Sequence, residues 1–473
     1  MPRGRQMALR GRQSAAHVLP PTVKQHHSLG ESRRASTTRS VVGLLPLALL
    51  AWDTASAKAQ HDSASRSGHV PTLARSVLPE WSAPMPVGGI PRNRSLEWPV
   101  LAMRGETTYV VGNTLPVGES ANESARVWGV VILRLPGAPL DAPPGDFVFK
   151  YPKGAIDTDG RLHLVWGEPA DRVRASRELG GNSPTSLWYA RYDHGRWSDP
   201  ERIVEGDMLH WGDASSGPSV DAAGRVHVVT SAWLLTARPA VVYARRSASG
   251  WERHDIGAAA TYAALAAWGR DSLAIAYTGP DPTTRATQAL LFVTSGDAGR
   301  TWSVPTTVIR AMPNSIFDVT VQHAGGELHL FWRQGPLARG ASQLLRYLRS
   351  GNLGRDWIPQ PDAHLSAARH QLRFAVAANP CGSTVAIAES IGGSADSLTL
   401  FLDEIRWMRA SVTTRPLFPQ FALAGSPGVV ADQRAFRLVF KALVDPSTST
   451  IPTLAAVTTA CGHPTRRGRG APK

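Results

Sequence analysis

The sequence predicts an all-β fold, a seven-bladed β-propeller of four-stranded antiparallel blades, with a six-bladed propeller as the alternative. Two periodic signals carry that reading and one compositional signal agrees. The first is a turn followed by a short alternating apolar run. Gly160 to Trp166 (GRLHLVW) returns at Gly224 to Thr230 (GRVHVVT) and again at Gly326 to Trp332 (GELHLFW). Weaker copies run from Thr108 to Gly112, Ser272 to Tyr277, Thr384 to Glu389 and Phe436 to Phe440. The second signal is tryptophan: Trp197, Trp251, Trp302, Trp357 and Trp407 follow one another at spacings of 54, 51, 55 and 50 residues. The third is the 43 glycines and 36 prolines among 473 residues, a content that suits turns and disfavours long helices.

Within each unit the elements fall in a fixed order. The runs just given are short, rich in β-branched and aromatic residues, and mostly preceded by a Gly or Asp turn, so they read as second strands. A further apolar run precedes each tryptophan: Leu187–Tyr192, Ala240–Ala244, Ala289–Val293, Gln343–Leu348 and Ser397–Leu402. A turn, the tryptophan and a fourth strand follow. Two units, roughly 97–148 and 420–463, lack the tryptophan, and the last runs out of chain after its third strand. Residues 83–95 supply the missing fourth strand in this reading, which closes the ring and removes exposed sheet edges.

The net charge of +14 raises the question of a nucleic-acid partner. Residues 1–59 carry nine Lys/Arg against Glu31 and Asp53, and the tail 464–473 carries Arg466, Arg467, Arg469 and Lys473 with no acid, leaving only +3 between them. A basic footprint on a folded face is therefore lacking, and no nucleic-acid partner is expected. Arg33, Arg34 and Arg39 precede an apolar stretch from Val41 to Trp52 and an Ala57-Lys58-Ala59 site, the layout of a secretory signal peptide cleaved before Gln60. The apolar stretch is short for a membrane span, so no stable span is expected after cleavage. The expected organisation is a signal peptide at 1–59, a linker at 60–82, the propeller at 83–463 and a basic tail at 464–473, in an exported protein that is periplasmic or extracellular.

One turn is more specific than the rest. Ser295-Gly296-Asp297-Ala298-Gly299-Arg300-Thr301-Trp302 resembles the Asp-box, the S-x-D-x-G-x-[ST]-W repeat of sialidases and other BNR propellers, and Ser350 to Trp357 resembles a copy with Asn352 for Asp. Asp297 can accept hydrogen bonds from turn amides, Gly299 permits positive φ, and Trp302 packs beneath the hairpin. The resemblance implies that Ser295, Asp297, Gly299 and Trp302 are structural and stand on the face away from the active centre.

Propeller geometry gathers first-strand starts and second-strand ends around the channel on the other face. Those positions offer Tyr151, Lys153, Asp213, Tyr262, Asp318 and Arg373, with Trp166, Glu168, Trp332, Arg333 and Glu389. Aromatics with carboxylates and arginines suit a glycan or other polar ligand, with Arg333, Arg373, Glu168, Trp166, Trp332 and Tyr151 as binding residues. The expected function is recognition of such a ligand without catalysis. The resemblance implies an alternative, an exo-α-sialidase in which Tyr262 is nucleophile, Glu389 or Glu168 its polarising partner and Asp213 or Asp318 the acid/base. The family's early F/Y-R-I-P motif has no match here. A protein-binding scaffold is a second alternative. His163, His227 and His329 share one strand position and read as repeat-structural, so no metal and no cofactor is expected; HExxH, CxxC, G-x-S-x-G and P-loop patterns are absent from the sequence. Cys381 and Cys461 fall in turns of neighbouring blades on one face and are expected to pair in an oxidising compartment. Oligomeric state is left open. Mass spectrometry of the exported protein is expected to find a mature N-terminus at Gln60, and a retained apolar stretch would make the segment an anchor instead.

Overall fold

The computed structural model describes residues 82–83, 85–90, 94–116, 129–135, 138–169, 184–206, 208–210, 217–233, 239–258, 262–284, 288–311, 316–335, 344–359, 370–379, 385–392, 398–406, 411–416, 422–423, 427–431, 435–445 and 449–458. In parts of the later strands it describes the backbone alone. Trp407, Cys381, Cys461 and Asp213 lie outside the described residues, and with them the expected disulfide.

The described chain is an all-β propeller of four-stranded antiparallel blades. The first blade is Arg94–Arg104, Thr107–Pro116, Gly129–Leu135 and Pro139–Leu140. The second runs through Lys150–Ile156, Leu162–Glu168 and Ser186–Asp193 to Glu201–Glu205. In the third, Ser219–Val220 and Met208–His210 both pair with Val226–Trp233, which is followed by Pro239–Ser247 and Gly250–Ala258. The fourth is Ala263–Trp268, Ser272–Pro280, Gln288–Ser295 and Thr306–Ala311. The fifth is Ile316–Ala324, Glu327–Gln334, Leu344–Ser350 and Ile358–Pro359.

Five blades are thus separate sheets, where the sequence predicted seven. The remaining strands form one nine-stranded sheet. The reason is local: the short strand Ala422–Leu423 pairs with Leu398 on one side and with Ala442 and Leu443 on the other, so it bridges two groups of strands that would otherwise be separate. The N-terminal strand Met85–Pro86 joins the same sheet by pairing with Thr453 and Leu454 of the C-terminal strand Ser449–Thr458.

The apolar core lies between blades. Val165, Leu187, Tyr189 and Ile203 of the second blade pack with Val226, Val228 and Val242 of the third. Val229, Val241 and Tyr243 of the third pack with Leu273, Ile275 and Leu291 of the fourth. Val430 and Val439, from the far end of the chain, pack with Leu96, Val110 and Leu133 of the first blade. Full burial of each such side chain contributes about 1.5–3 kcal/mol.

The tryptophan period is a property of these junctions. Trp251 stands edge-on to Tyr189 at 5.3 Å, Trp302 to Tyr243 at 5.0 Å and Trp357 to Phe292 at 5.1 Å, each aromatic partner belonging to the preceding blade. Trp197 packs on Tyr192 of its own blade, and its Nε1 donates to Asp141 O at 2.7 Å.

The turn before Trp302 is held from inside. Ser295 Oγ donates to Asp297 Oδ1 at 2.8 Å and accepts from Gly299 N at 2.8 Å, while Asp297 accepts from the amide and hydroxyl of Thr301 at 2.9 and 2.6 Å. The Thr301 bonds hold the Asp297 carboxyl well below the usual carboxylate range. Ser350, Asn352 and Gly354 repeat the pattern: Asn352 Oδ1 accepts from Asp356 N at 2.9 Å, and Ser350 Oγ accepts from Gly354 N at 2.7 Å. Gly299 has φ of +82°, and a Cβ there would collide with the Tyr243 hydroxyl.

A second repeated device fixes the turn between first and second strands. His163 Nε2 lies 3.1 Å from Asp157 Oδ2 and its Nδ1 2.8 Å from Tyr189 Oη; His227 stands identically between Asp221 (3.1 Å) and Tyr243 (2.7 Å). Asp221 Oδ1 also accepts from the amides of Ala223 and Arg225, and Asp157 Oδ1 from those of Asp159 and Arg161, which closes each turn. Burial alone would raise Asp221, yet the bonds from His227 and Arg225 bring it down to about 2. In the fifth blade the position of Asp157 and Asp221 is taken by His323; His329 Nε2 meets Ala324 O at 3.4 Å and Nδ1 meets Tyr347 Oη at 2.8 Å. Burial holds His329 at about 4.

Two outcomes follow from these turns. Asp297→Asn is expected to keep stability within about 0.5 kcal/mol, since Asn352 fills the same role, whereas Asp297→Ala is expected to cost about 1–2 kcal/mol in urea denaturation. His329 is protonated in the unfolded chain below roughly pH 6.5 but stays neutral in the fold down to about 4, so its contribution is present above pH 6.5 and is lost as pH falls across that window. Thermal melts from pH 7 to 4 should show a shallower acid loss for His329→Gln than for the wild type.

Candidate functional site

The innermost strands do not run straight. The pairing of first with second strand slips between Glu97 and Val100, between Lys150 and Lys153, between Phe317 and Thr320, and between Gln371 and Arg373. Three of these bulges hold a non-glycine residue in the left-handed region: Trp98 (φ 45°), Tyr151 (φ 49°) and Asp318 (φ 50°). Such a conformation costs about 1–3 kcal/mol for each residue and persists only where its surroundings fix it. The surroundings here are hydrogen bonds across the blade junctions. Buried Asn113 accepts from Tyr151 N at 3.0 Å through Oδ1 and donates through Nδ2 to Phe149 O and to Gly129 O. Farther round, Gln288 Oε1 accepts from Ile316 N at 3.1 Å, and Gln322 Oε1 accepts from Ala378 N at 2.9 Å.

The three bulged residues line one cavity of about 460 Å3, the central channel. Its walls are drawn from all the innermost strands: the four bulged ones, Ser219, Leu265 to Ala267, and Gly428 to Ala431. Its polar side chains include Lys153, Asp318, Gln322 and His323, with the hydroxyls of Tyr151, Ser219 and Thr320, among apolar neighbours. Trp98 meets Tyr151 edge-on at 5.1 Å, forming one aromatic corner.

The charges beside this corner are coupled. Asp318 forms an ion pair with Arg333, both side chains about 15% exposed. Burial raises the Asp318 carboxyl, with Arg333 and Lys153 opposing. Burial brings the Lys153 ammonium down to about 7, with Asp318 opposing. Tyr262 is pushed up to about 12 by burial and by Asp318, against Arg333. Burial thus opposes the charged form of both groups, and the ammonium of Lys153 is the one brought close to neutral pH. The phenol is a donor; forming its anion is made harder by burial and by the neighbouring carboxylate.

The structure thus brings together Tyr262, Asp318 and Arg333, with Lys153 facing Asp318, and it sets Tyr151 on the channel. It places others elsewhere. Trp166 is fully buried against Phe147 and Phe149, at 5.2 and 5.0 Å, and packs the blade in place of facing a ligand. Trp332 is 3% exposed within the junction of the fourth and fifth blades. Glu168 is buried, and its Oε2 accepts from Val148 N at 2.9 Å, so it anchors the entry to the second blade. Arg373 and Glu389 are described by backbone only, opposite Ser390 and Phe374 respectively. Trp98, Gln322 and His323 were not singled out by the sequence. One signal for the first existed: Trp98-Pro99, Tyr151-Pro152 and Gly217-Pro218 place a proline at the same point of three innermost strands. Among the described residues no group of three or more His, Cys, Asp or Glu is placed to hold a metal ion, and no helix is long and apolar enough to cross a membrane.

The chain matches no protein-family model and no curated protein. Among solved structures it is similar to an ulvan lyase, a polysaccharide lyase bound to a -[GlcA(1-4)Rha3S]- unit, at 11% identity over 80% of this chain and 98% of that one, with a TM-score of 0.49. It is similar to a Hadza microbial sialidase at 13% identity over 73% of each chain, TM-score 0.40. It is similar also to an α-L-arabinofuranosidase of Fusarium graminearum at 14% identity over 67% of this chain and 96% of that one, TM-score 0.38.

Lys153 is deprotonated in the fold above about pH 7 but protonated in the unfolded chain up to about 10.5, so it opposes folding most at and below pH 7 and that cost fades as pH rises toward 10.5. Lys153→Met should flatten the rise in melting temperature across that range. Asp318→Asn should lower the Lys153 pKa further, read by NMR of dimethylated lysines.

Proposed function

We propose that this chain is an exported propeller of the Asp-box type that binds a carbohydrate or other polar ligand, without catalysis, at the bulged end of its channel. The observation that carries the reading is the convergence of Trp98, Tyr151 and Asp318, three side chains aimed by strained bulges, on one cavity. Strain concentrated at equivalent points of several blades is held there at a cost to stability, which a purely structural ring has no reason to bear. The aromatic corner supplies apolar faces for the C–H side of a sugar ring, and Asp318, held by Arg333, and Lys153 supply directional polar contacts.

The blade count belongs to the same reading. Seven innermost strands line the channel, so the nine-stranded sheet is taken as a sixth blade, His370–Ala378 to Ser411–Pro416, and a seventh, Gly428–Ala431 to Ser449–Thr458 completed by Met85–Pro86. A non-catalytic role is preferred to the sialidase alternative because Tyr262, held at about 12, is poorly suited to attack as a phenolate.

The test is a glycan-binding screen of the purified protein beside Asp318→Asn and Trp98→Ala, with a fluorogenic sialoside assay in parallel. A bound glycan whose affinity falls at least tenfold in both variants, with no sialoside turnover, is the expected result. Turnover abolished by Tyr262→Phe would replace the binding reading with a sialidase. Binding that neither variant weakens would remove the ligand from the channel.

A further inference from the structure

A second cavity, about 380 Å3, opens at the other end of the blades, among the turns, and shares no lining residue with the channel. Arg161, Arg191, Arg225, Arg245, Arg246 and Arg300 line it, against the acids Asp157 and Glu252. Four of these arginines are held by carboxylates. Arg161 pairs with Asp159 at 2.7 Å, Arg225 with Asp221 at 2.6 Å, Arg246 with Glu201 at 2.7 Å, and Arg245 with Glu252. Among the described residues Arg191 and Arg300 have no ion pair; Arg300 Nη1 donates only to Asp297 O, at 3.5 Å, and Arg191 Nε is buried without a hydrogen-bond partner.

The repeat explains what is missing at Arg191. In three blades the turn histidine faces an arginine on the third strand: His163 faces Arg191, His227 faces Arg245 and His329 faces Arg349. Arg245 lies opposite Glu252 and is paired with it, and Arg349 is paired with Glu327 at 3.2 Å. In the second blade the residue opposite is Ser198, which exchanges backbone and hydroxyl hydrogen bonds with the Arg191 main chain and offers the guanidinium no charge. Arg191 therefore stands where its counterparts have a carboxylate, in a cavity walled by arginines. Arg349 Nε is likewise buried without a partner although Glu327 holds its Nη1, so the missing carboxylate is what sets Arg191 apart, and it leaves this guanidinium open to an acceptor from outside the chain.

We propose that this cavity binds a tetrahedral oxyanion, a sulfate or phosphate group, with Arg191 and Arg300 as the primary ligands and Arg245 and Arg246 flanking them. Guanidinium forks match the oxygen spacing of such a group and bind it bidentately. The neighbouring carboxylates keep the paired arginines extended and fixed, so the site is formed before the anion arrives. The group could arrive as the free anion or as a substituent on a polymer.

Isothermal titration calorimetry of the whole protein with inorganic sulfate, at ionic strength matched with chloride, tests the site. Saturable binding is expected, weakened at least tenfold by Arg191→Met. Ser198→Glu, which supplies the carboxylate that the third blade already has, is expected to raise the melting temperature and to weaken sulfate at least tenfold. This second variant keeps the test decisive should Arg191→Met fold poorly. Asp318→Asn, in the channel, should leave sulfate binding unchanged. A sulfated disaccharide distinguishes the sources: affinity at least tenfold above that of sulfate assigns the site to a polymer substituent, and equal affinity assigns it to the free anion. No binding beyond that of chloride, or binding untouched by both Arg191→Met and Ser198→Glu, overturns the proposal.

Discussion

Each sheet of this protein has two apolar faces, and neither can be covered from within its own blade. Tyr189 of the second blade is covered by Trp251 of the third, Tyr243 of the third by Trp302 of the fourth, and Phe292 of the fourth by Trp357 of the fifth. Stability is therefore a property of junctions, as in other repeat architectures where each unit is completed by its neighbour. A series of such junctions leaves an uncovered face at each end unless the ends meet. Here Val430 and Val439 reach Leu96 and Val110, so the far end of the chain covers the first blade.

That arrangement divides the labour between the two ends of the blades. Among the turns, Asp157, Asp221, Ser295, Asp297 and the histidines spend their hydrogen bonds within the chain, and the aromatic junctions lie just beneath. At the channel end the same rules are broken: Trp98, Tyr151 and Asp318 occupy backbone conformations that most residues avoid, with Asn113 holding the amide of Tyr151 and Arg333 the carboxylate of Asp318. Rigid junctions are what allow strain to be stored at a distance from them.

The repeats were legible because they come from local chemistry. A turn needs its Gly and its Asp, a half-buried strand needs alternation, and each junction needs one large aromatic, so Trp251, Trp302 and Trp357 were spaced by the blade itself. Of the turn at Ser295, a turn amide donating to Asp297 was legible, and the bonds of the Ser295 and Thr301 hydroxyls were not. The site was legible only in part. Tyr262, Asp318 and Arg333 follow from strand position, but Trp166 and Trp332 share nearly the same positions and are buried. A bulge shifts which side chains face the channel by one residue, and the sequence marks it only through Pro99 and Pro152. The number of separate sheets was not legible either, because a two-residue bridge at Ala422–Leu423 decides it and carries no periodic signal.

The pairing of Met85 and Pro86 with Leu454 and Thr453 has a consequence in time. The partners lie at opposite ends of the folded chain, so the first strand made must wait for almost the last. At roughly 5–20 residues per second of synthesis the wait lasts on the order of tens of seconds. Throughout it the first blade lacks the cover that Val430 and Val439 give to Leu96 and Val110. Among the described strands, this pairing is thus the last that a growing chain can complete.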